Sequence, residues 1–276
     1  MSIVTFWGNG KEQVGKTLSV VAIATNIAIE KNKKILVISA SYNNDNIKKC
    51  YWNEENVKKN NIFVKQNGTE IDNGIEGLAK IIQSNKITPN SITDYTKVVF
   101  KDRLEILLGF EAGTLSTPEE VSTIYDDIVK SASKYYDLIF VDLDNEINPI
   151  GAEEIIKKSD VVVGMVSQKV TSINNMKDRR QTIPAKQVMY LIGKYDAKSK
   201  YTTKNLTRMV GERKDLFILP YNTLYFEAAE EGNVPDLFLR LRRIEDKNDE
   251  NAFFIDNVKK VSEEILKRIQ EEKTFK

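Results

Sequence analysis

Gly10-Lys11-Glu12-Gln13-Val14-Gly15-Lys16-Thr17 is the stretch from which the rest of the chain is read. Its spacing, G-x-x-x-x-G-K-T, is that of a phosphate-binding loop, and its surroundings are those such a loop requires. The apolar run Ile3-Val4-Thr5-Phe6-Trp7 predicts a buried strand before it, and residues 18–30 carry Ala and branched aliphatics at helical spacing after it. In that order the loop's backbone N–H groups can converge on phosphate oxygens. The first helical turn adds unpaired N–H groups and the positive end of its dipole. Gly10, Lys11, Val14, Gly15, Lys16, Thr17 and Leu18 are therefore the candidate phosphate contacts. Lys16 is expected on the outer phosphates and the Thr17 hydroxyl on Mg2+.

Composition narrows the chemistry. With 276 residues and 41% hydrophobic content, the chain can bury a sizeable core. It reads as one domain over 1–276, with a polar surface excursion at 43–73 and a C-terminal helix at 250–271. The 41 basic and 40 acidic residues leave a net charge of +1, so no global field draws the protein to nucleic acid or membrane. A single cysteine, Cys50, excludes an internal disulfide framework and suits a reducing cytoplasm. Histidine is absent, which excludes histidine triads, the common zinc sites and an imidazole base. Chemistry must rest on Lys, Asp, Glu, Ser, Thr and bound metal. No signal peptide and no membrane span is expected, since no apolar stretch reaches about eighteen residues.

Further along, residues 34–41 predict a second buried strand, 74–83 an amphipathic helix, and 97–100 and 104–108 two more strands. Thr117-Pro118-Glu119-Glu120 marks a helix start, with Thr as cap and Pro in the first turn. Tyr136-Asp137-Leu138-Ile139-Phe140-Val141-Asp142 is an apolar strand ending in a carboxylate. At the C-terminal edge of a parallel sheet, where ligands of open α/β folds bind, Asp142 would hold Mg2+, through a water. Asp144 just beyond it is read as a turn residue. A helix at 151–158, a strand at 159–166 and a helix at 171–180 capped by Thr171 or Ser172 follow. Strands at 187–196 and 216–222 and a helix at 224–230 stopped by Gly232 come next. The basic cluster Leu239-Arg240-Leu241-Arg242-Arg243 reads as a solvated face beside Glu245 and Asp246, with non-specific DNA contact as the alternative. Phe254, Val258, Val261, Ile265 and Ile269 form one stripe of the last helix. Glutamates interrupt its polar face, which predicts docking on the core rather than membrane contact.

Lys11, directly after the first glycine, resembles the deviant Walker A lysine of the ParA/MinD ATPases, whose pattern is K-G-G-x-G-K-[ST]. The strand ending at Asp142 resembles their Walker B segment, and residues 159–166 their following strand. The resemblance implies a three-layer P-loop NTPase fold of the α/β class, doubly wound on a mostly parallel sheet. It implies ATP and Mg2+ as ligands, Lys16 and Asp142 in the catalytic centre, and a nucleotide-dependent homodimer in which Lys11 reaches the partner's nucleotide. Gly193, Lys194, Pro220, Tyr221 and Asn222 are implied to border the adenine. Such proteins position or partition a cargo, on non-specific DNA or a protein machine; the TadZ/CpaE branch serves secretion, pilus or conjugation machines.

Several positions depart from the pattern. Glu12 and Gln13 stand where the family has glycines, so a carboxylate is carried beside the phosphate path. Like charges about 4 Å apart repel by on the order of 1 kcal/mol in water, so Glu12 must point away, pair with a cation or weaken binding. Ser39 and Ser41 replace two aspartates, and Gly193 replaces an asparagine that reads adenine. The expectation is an ATP-Mg-binding, dimerising positioning ATPase with slow or lost hydrolysis; a scaffold that no longer binds nucleotide is the alternative.

Overall fold

Alternation along the strands sets the architecture. In β1 (Ser2–Trp7), β2 (Ile35–Ala40) and β5 (Leu138–Leu143), nearly every residue is buried, and neighbours face opposite layers. The computed structural model describes residues 1–8, 12–41, 46–53, 74–84, 91–109, 118–144, 149–180, 187–211, 215–246 and 248–274. Val4, Phe6, Val37, Leu138 and Phe140 meet one helical layer. Ile3, Leu36, Ile38, Ile139 and Val141 meet the other.

Among the described residues the sheet has eight strands in the order β3-β4-β2-β5-β1-β6-β7-β8. Here β3 is Lys97–Phe100, β4 Leu104–Leu107, β6 Val161–Val166, β7 Gln187–Tyr195 and β8 Leu216–Pro220. All pairings are parallel except the one between β3 and β4. From the central β1 the chain travels to β2 on one side, then crosses from β5 to β6 on the other. That reversal opens a crevice at the strands' C-terminal ends. One layer holds α1 (Lys16–Glu30), α2 (Asn46–Tyr51), α9 (Thr223–Glu230), α10 (Val234–Leu241) and α11 (Glu250–Thr274). The other holds α3 (Ile75–Gln83), α4 (Ser91–Asp94), α5 (Pro118–Ala132), α6 (Pro149–Lys157), α7 (Val170–Arg180) and α8 (Thr203–Val210). This is the doubly wound, mostly parallel P-loop fold expected.

Part of the expected surface excursion is something else. Residues 46–51 form α2, and Ile47, Cys50 and Tyr51 are buried in the core under α1; 42–45 and 54–73 lie outside the described residues. The Tyr51 hydroxyl bonds Thr25 of α1 at 3.0 Å, so this short helix is anchored by polar as well as apolar contacts. Thr117, the expected cap of α5, also lies outside the described residues.

The last helix docks as its stripe predicts. Phe254, Val258, Val261 and Ile265 are at most 1% exposed and pack with α1 and the sheet. Phe254 stacks on Tyr225 with ring centroids 4.9 Å apart. Arg268 pins the helix's far end, bonding Asp215 at 2.6 Å, Glu264 at 2.8 Å and the Val188 carbonyl at 2.9 Å. No helix among the described residues is long and apolar enough to cross a membrane. Ile265→Ala should therefore cost about 2–5 kcal/mol, the range for a buried aliphatic truncation, measured by urea denaturation. A helix held free of the core for a lipid surface would show almost no change.

Candidate functional site

Strand parity places the central carboxylate. Asp142 shares the face of Leu138 and Phe140, beneath α1, and lies at the C-terminal end of β5, next to β1. Gly15 caps α1 in the left-handed region (φ 70°, ψ 33°), a conformation that glycine adopts without steric cost. That turn aims the next two side chains down at the strand. The Thr17 hydroxyl donates to Asp142 Oδ2 at 2.7 Å. Lys16 Nζ lies 2.8 Å from Asp142 Oδ1 and donates to the Leu143 carbonyl at 2.5 Å. Asp142 Oδ1 is buried and receives no aligned hydrogen bond, so its contact with Lys16 is an ion pair without hydrogen-bond geometry. A buried carboxylate oxygen balanced only by an ammonium, without an aligned hydrogen bond, is one that a metal cation or its water shell can take over when the ammonium moves. Mg2+ commonly binds through one carboxylate, a hydroxyl, phosphate oxygens and water. Thr17 and Asp142 thus fit the metal role expected of them. Among the described residues no cluster of three or more acidic or thiol ligands offers a protein-only metal cage.

Above these residues opens a cavity of about 460 Å3. Its lining includes Lys16, Lys49 and Lys194 together with Glu12, Asp144 and Glu230. Such mixed lining suits a polyanion that arrives with its own cation. Val14, Gly15, Lys16, Thr17 and Leu18, all expected here, line the cavity. Gly10 and Lys11 lie outside the described residues. Asn46, Lys49 and Cys50 of α2 and Glu230 of α9 were not anticipated. The apolar spacing of Ile47, Cys50 and Tyr51 was the available signal for α2. Asp144, expected as a turn residue, lines the cavity, and its N–H bonds the Ala40 carbonyl at 2.9 Å. Burial pushes the Cys50 thiol up to about 12, which makes it an inert wall residue.

Glu12 is held aside. Ser172 Oγ donates to its Oε2 at 2.6 Å, and Lys169 Nζ lies 3.9 Å from its Oε1. The Ser172 hydroxyl bond chiefly, helped by Ser167 and Lys169 against partial desolvation, keeps the carboxyl below its ordinary range. Ser172 was expected as a possible cap of α7. Its hydroxyl instead accepts the Ser167 N–H at 3.1 Å and restrains Glu12. On the strand beside Asp142, Ser39 lies in direct register with it, and its hydroxyl pairs with that of Ser41 at 2.8 Å. Both serines are buried, so the two positions present a closed hydroxyl pair and no negative charge.

The expected base neighbourhood divides. Lys194, Pro220, Tyr221 and Asn222 border a second slot of about 60 Å3 that shares Gly15 and Leu18 with the larger cavity. Gly193 lines neither. A Cβ on Gly193 would stand 2.0 Å from the Val14 carbonyl oxygen, so the strand passes directly under the loop there. Lys194 takes a left-handed backbone (φ 52°) and lies across Gly15 at the mouth of both spaces.

No protein-family model and no curated protein matches the sequence. Solved structures do match. A ParA family ATPase from Chlorobium tepidum superposes with a TM-score of 0.66 at 13% identity, over 95% of this chain and 98% of that one. A putative plasmid partition protein from Borrelia burgdorferi bound to AMPPNP gives 0.64 at 16% identity, over 98% of each chain. The fold is that of the ParA/MinD ATPases. The septum site-determining protein MinD from Pyrococcus horikoshii, complexed with Mg-ADP, gives 0.63 at 12% identity, over 96% of this chain and 95% of that one. Within the ParA/MinD fold, the loop, Thr17 and Asp142 stand at the C-terminal ends of the central strands.

Release of Glu12 should be felt at the loop. Ser172→Ala should weaken binding of Mg2+-triphosphate by about fivefold, equivalent to on the order of 1 kcal/mol for a like charge returned to within about 4 Å. In the double variant Glu12→Gln, Ser172→Ala, calorimetry should return the affinity to the wild-type value. Because the Glu12 pKa is lowered on folding, the tether is intact above the ordinary carboxylate range. It is lost only as pH falls through the depressed value.

Proposed function

We propose that this protein binds ATP with Mg2+ and uses the bound nucleotide to form a homodimer that positions a cargo, with hydrolysis slow or lost. The observation that carries the reading is the convergence of Lys16 and Thr17, from the first turn of α1, on the buried Asp142. Nothing in packing demands a lysine and a threonine against one aspartate at a glycine turn. Phosphate binding does.

The chain's residues divide the work. Free N–H groups in the first turn of α1 and in the loop backbone donate to phosphate oxygens. Lys16 exchanges its carboxylate partner for the outer phosphates. Thr17 and Asp142 would hold Mg2+, which when bound neutralises phosphate charge. Lys11, by the resemblance, reaches the nucleotide of a second copy, so occupancy sets the association equilibrium by mass action. The weak step is water activation. Ser39 and Ser41 bond each other and can accept no proton near neutral pH. Asp144 and Glu230 are the described carboxylates that remain on the cavity wall besides the tethered Glu12.

A protein machine is the better fit for the cargo than DNA. Arg240 and Arg243 are exposed but stand beside exposed Glu245 and Asp246. Such a mixed face gives little counterion release on a polyphosphate. This favours a role like that of the TadZ/CpaE positioning factors.

Lys16→Ala should abolish ATP binding in calorimetry. Lys11→Ala should retain ATP affinity within about threefold and lose the ATP-dependent dimer in light scattering after size exclusion. Wild-type turnover should fall well below about 1 per second, the lower end of common enzyme rates. Equal ATP affinity in the wild type and both variants would refute the assignment.

A further inference from the structure

Near its C-terminal end β7 departs from regular pairing, and it does so against the phosphate loop. It runs in register with β8 as far as Ile192↔Ile218, and pairing resumes at Tyr195↔Pro220, so Gly193 and Lys194 form a bulge. A bulge beside a site commonly re-aims a side chain. The backbone here is also unusual. Among the described non-glycine residues Asp102 and Lys194 have positive φ, 59° and 52°. Asp102 lies in the turn between β3 and β4, where a short polar side chain tolerates the left-handed region. A long side chain at a strand end has no such excuse, and residues held in this region cluster at ligand clamps.

The bulge lays Lys194 along the glycine turn. A Cβ on Gly15 would stand 3.1 Å from Lys194 Cγ, 3.7 Å from Cδ and 3.4 Å from Cε, so the stem follows that residue closely. The ammonium, one bond of about 1.5 Å beyond Cε, lies within about 5 Å of the same point. Gly193 permits the approach: its own Cβ would stand 2.0 Å from the Val14 carbonyl oxygen, so a residue with a side chain could not pass there. Lys194, Gly15 and Leu18 line both the cavity and the slot. The lysine therefore stands where one space opens into the other, beyond the position Lys16 serves. Other lysines around the loop are paired, Lys16 with Asp142 and Lys169 with Glu12. Lys194 is exposed, and among the described residues no carboxylate pairs with its ammonium.

Resting on the reading of the site as a nucleoside triphosphate site, we propose that Lys194 is a second anion-binding lysine: its ammonium donates to the inner phosphates, while Lys16 takes the outer ones. The bulge and the left-handed conformation are kept for that contact. Phosphate charge is then met from two elements of one chain, before a second copy arrives.

Calorimetric titration of the full chain with ATP, ADP and tripolyphosphate, each with Mg2+, tests this in the wild type and in Lys194 variants. Lys194→Met keeps the stem and loses the charge. It should weaken all three ligands by at least about tenfold, the loss of one hydrogen bond from a charged donor. Lys194→Arg, which keeps the charge, should stay within about threefold of the wild type. Lys194→Gly relieves the left-handed backbone, so it should bind as weakly as Lys194→Met while its urea midpoint is unchanged or raised. Wild-type affinity in Lys194→Met would show that the stem only packs on Gly15, and overturns the proposal. Weakening of ATP and ADP with tripolyphosphate unchanged would put the lysine on the base or ribose; weakening that spares ADP would put it on the outer phosphate. Either result overturns the proposal and leaves the triphosphate site in place. A lowered urea midpoint in Lys194→Gly would show that the conformation serves the fold, and overturns its assignment to the ligand. Failure of the wild type to bind any of the three, in a protein shown folded by circular dichroism, removes the triphosphate site and this proposal with it.

Discussion

A carboxylate buried to 3% exposure needs a cation, and Asp142 has one in Lys16. Taking a charge of that kind out of water costs several kcal/mol unless it is paired. The local structure can be understood as the means of supplying that pair. Parity along β5 turns Asp142 toward α1, the left-handed Gly15 drops the helix's first turn onto it, and Thr17 occupies its other oxygen. Strand order contributes as well, because β1 must lie beside β5 for the loop to emerge next to the carboxylate. The same arrangement makes the resting site self-satisfied: the groups that would hold phosphate and metal hold each other.

The consequence is a linked exchange. If Lys16 moves to an anion, Asp142 loses its counter-charge, and breaking a buried pair by removing one partner typically costs about 3–5 kcal/mol. A divalent cation arriving with the anion removes that cost. The loop, Thr17 and Asp142 therefore read as a device for a phosphate–cation pair rather than for either alone. Around it the chain shows restraint of unwanted charge. Ser172 and Lys169 hold the Glu12 carboxylate aside, and two serines close on each other beside Asp142. Both features leave a site better suited to holding a ligand than to attacking it.

Much of this was legible in the sequence, for identifiable reasons. The strands were readable because a parallel sheet covered on both faces demands continuous apolar runs, as in Ile35 to Ala40 and Leu138 to Leu143. That Lys16, Thr17 and Asp142 would come together was readable because the spacing of the glycine turn and of the strand ending in aspartate puts them at one sheet edge. The docking of α11 followed from its stripe. Helix α2 was not, since six residues with two lysines give a periodic signal of only three apolar positions, set in an Asn- and Lys-rich stretch. The fate of Gly193 could not be read either. A missing asparagine looks like a lost base contact, whereas the structure shows a strand pressed against the Val14 carbonyl, a distance that no local pattern encodes. Ser172 was misassigned because its true partner, Glu12, is 160 residues away.

The exchange at Asp142 is tested most directly by the Mg2+ dependence of ATP affinity, measured by calorimetry with Mg2+ and with chelator, in the wild type and in Asp142→Asn. The linked exchange requires wild-type ATP binding to tighten by at least about tenfold with Mg2+, and Asp142→Asn, whose neutral amide needs no counter-charge, to lose most of that dependence. Equal wild-type affinity with and without Mg2+ would contradict it.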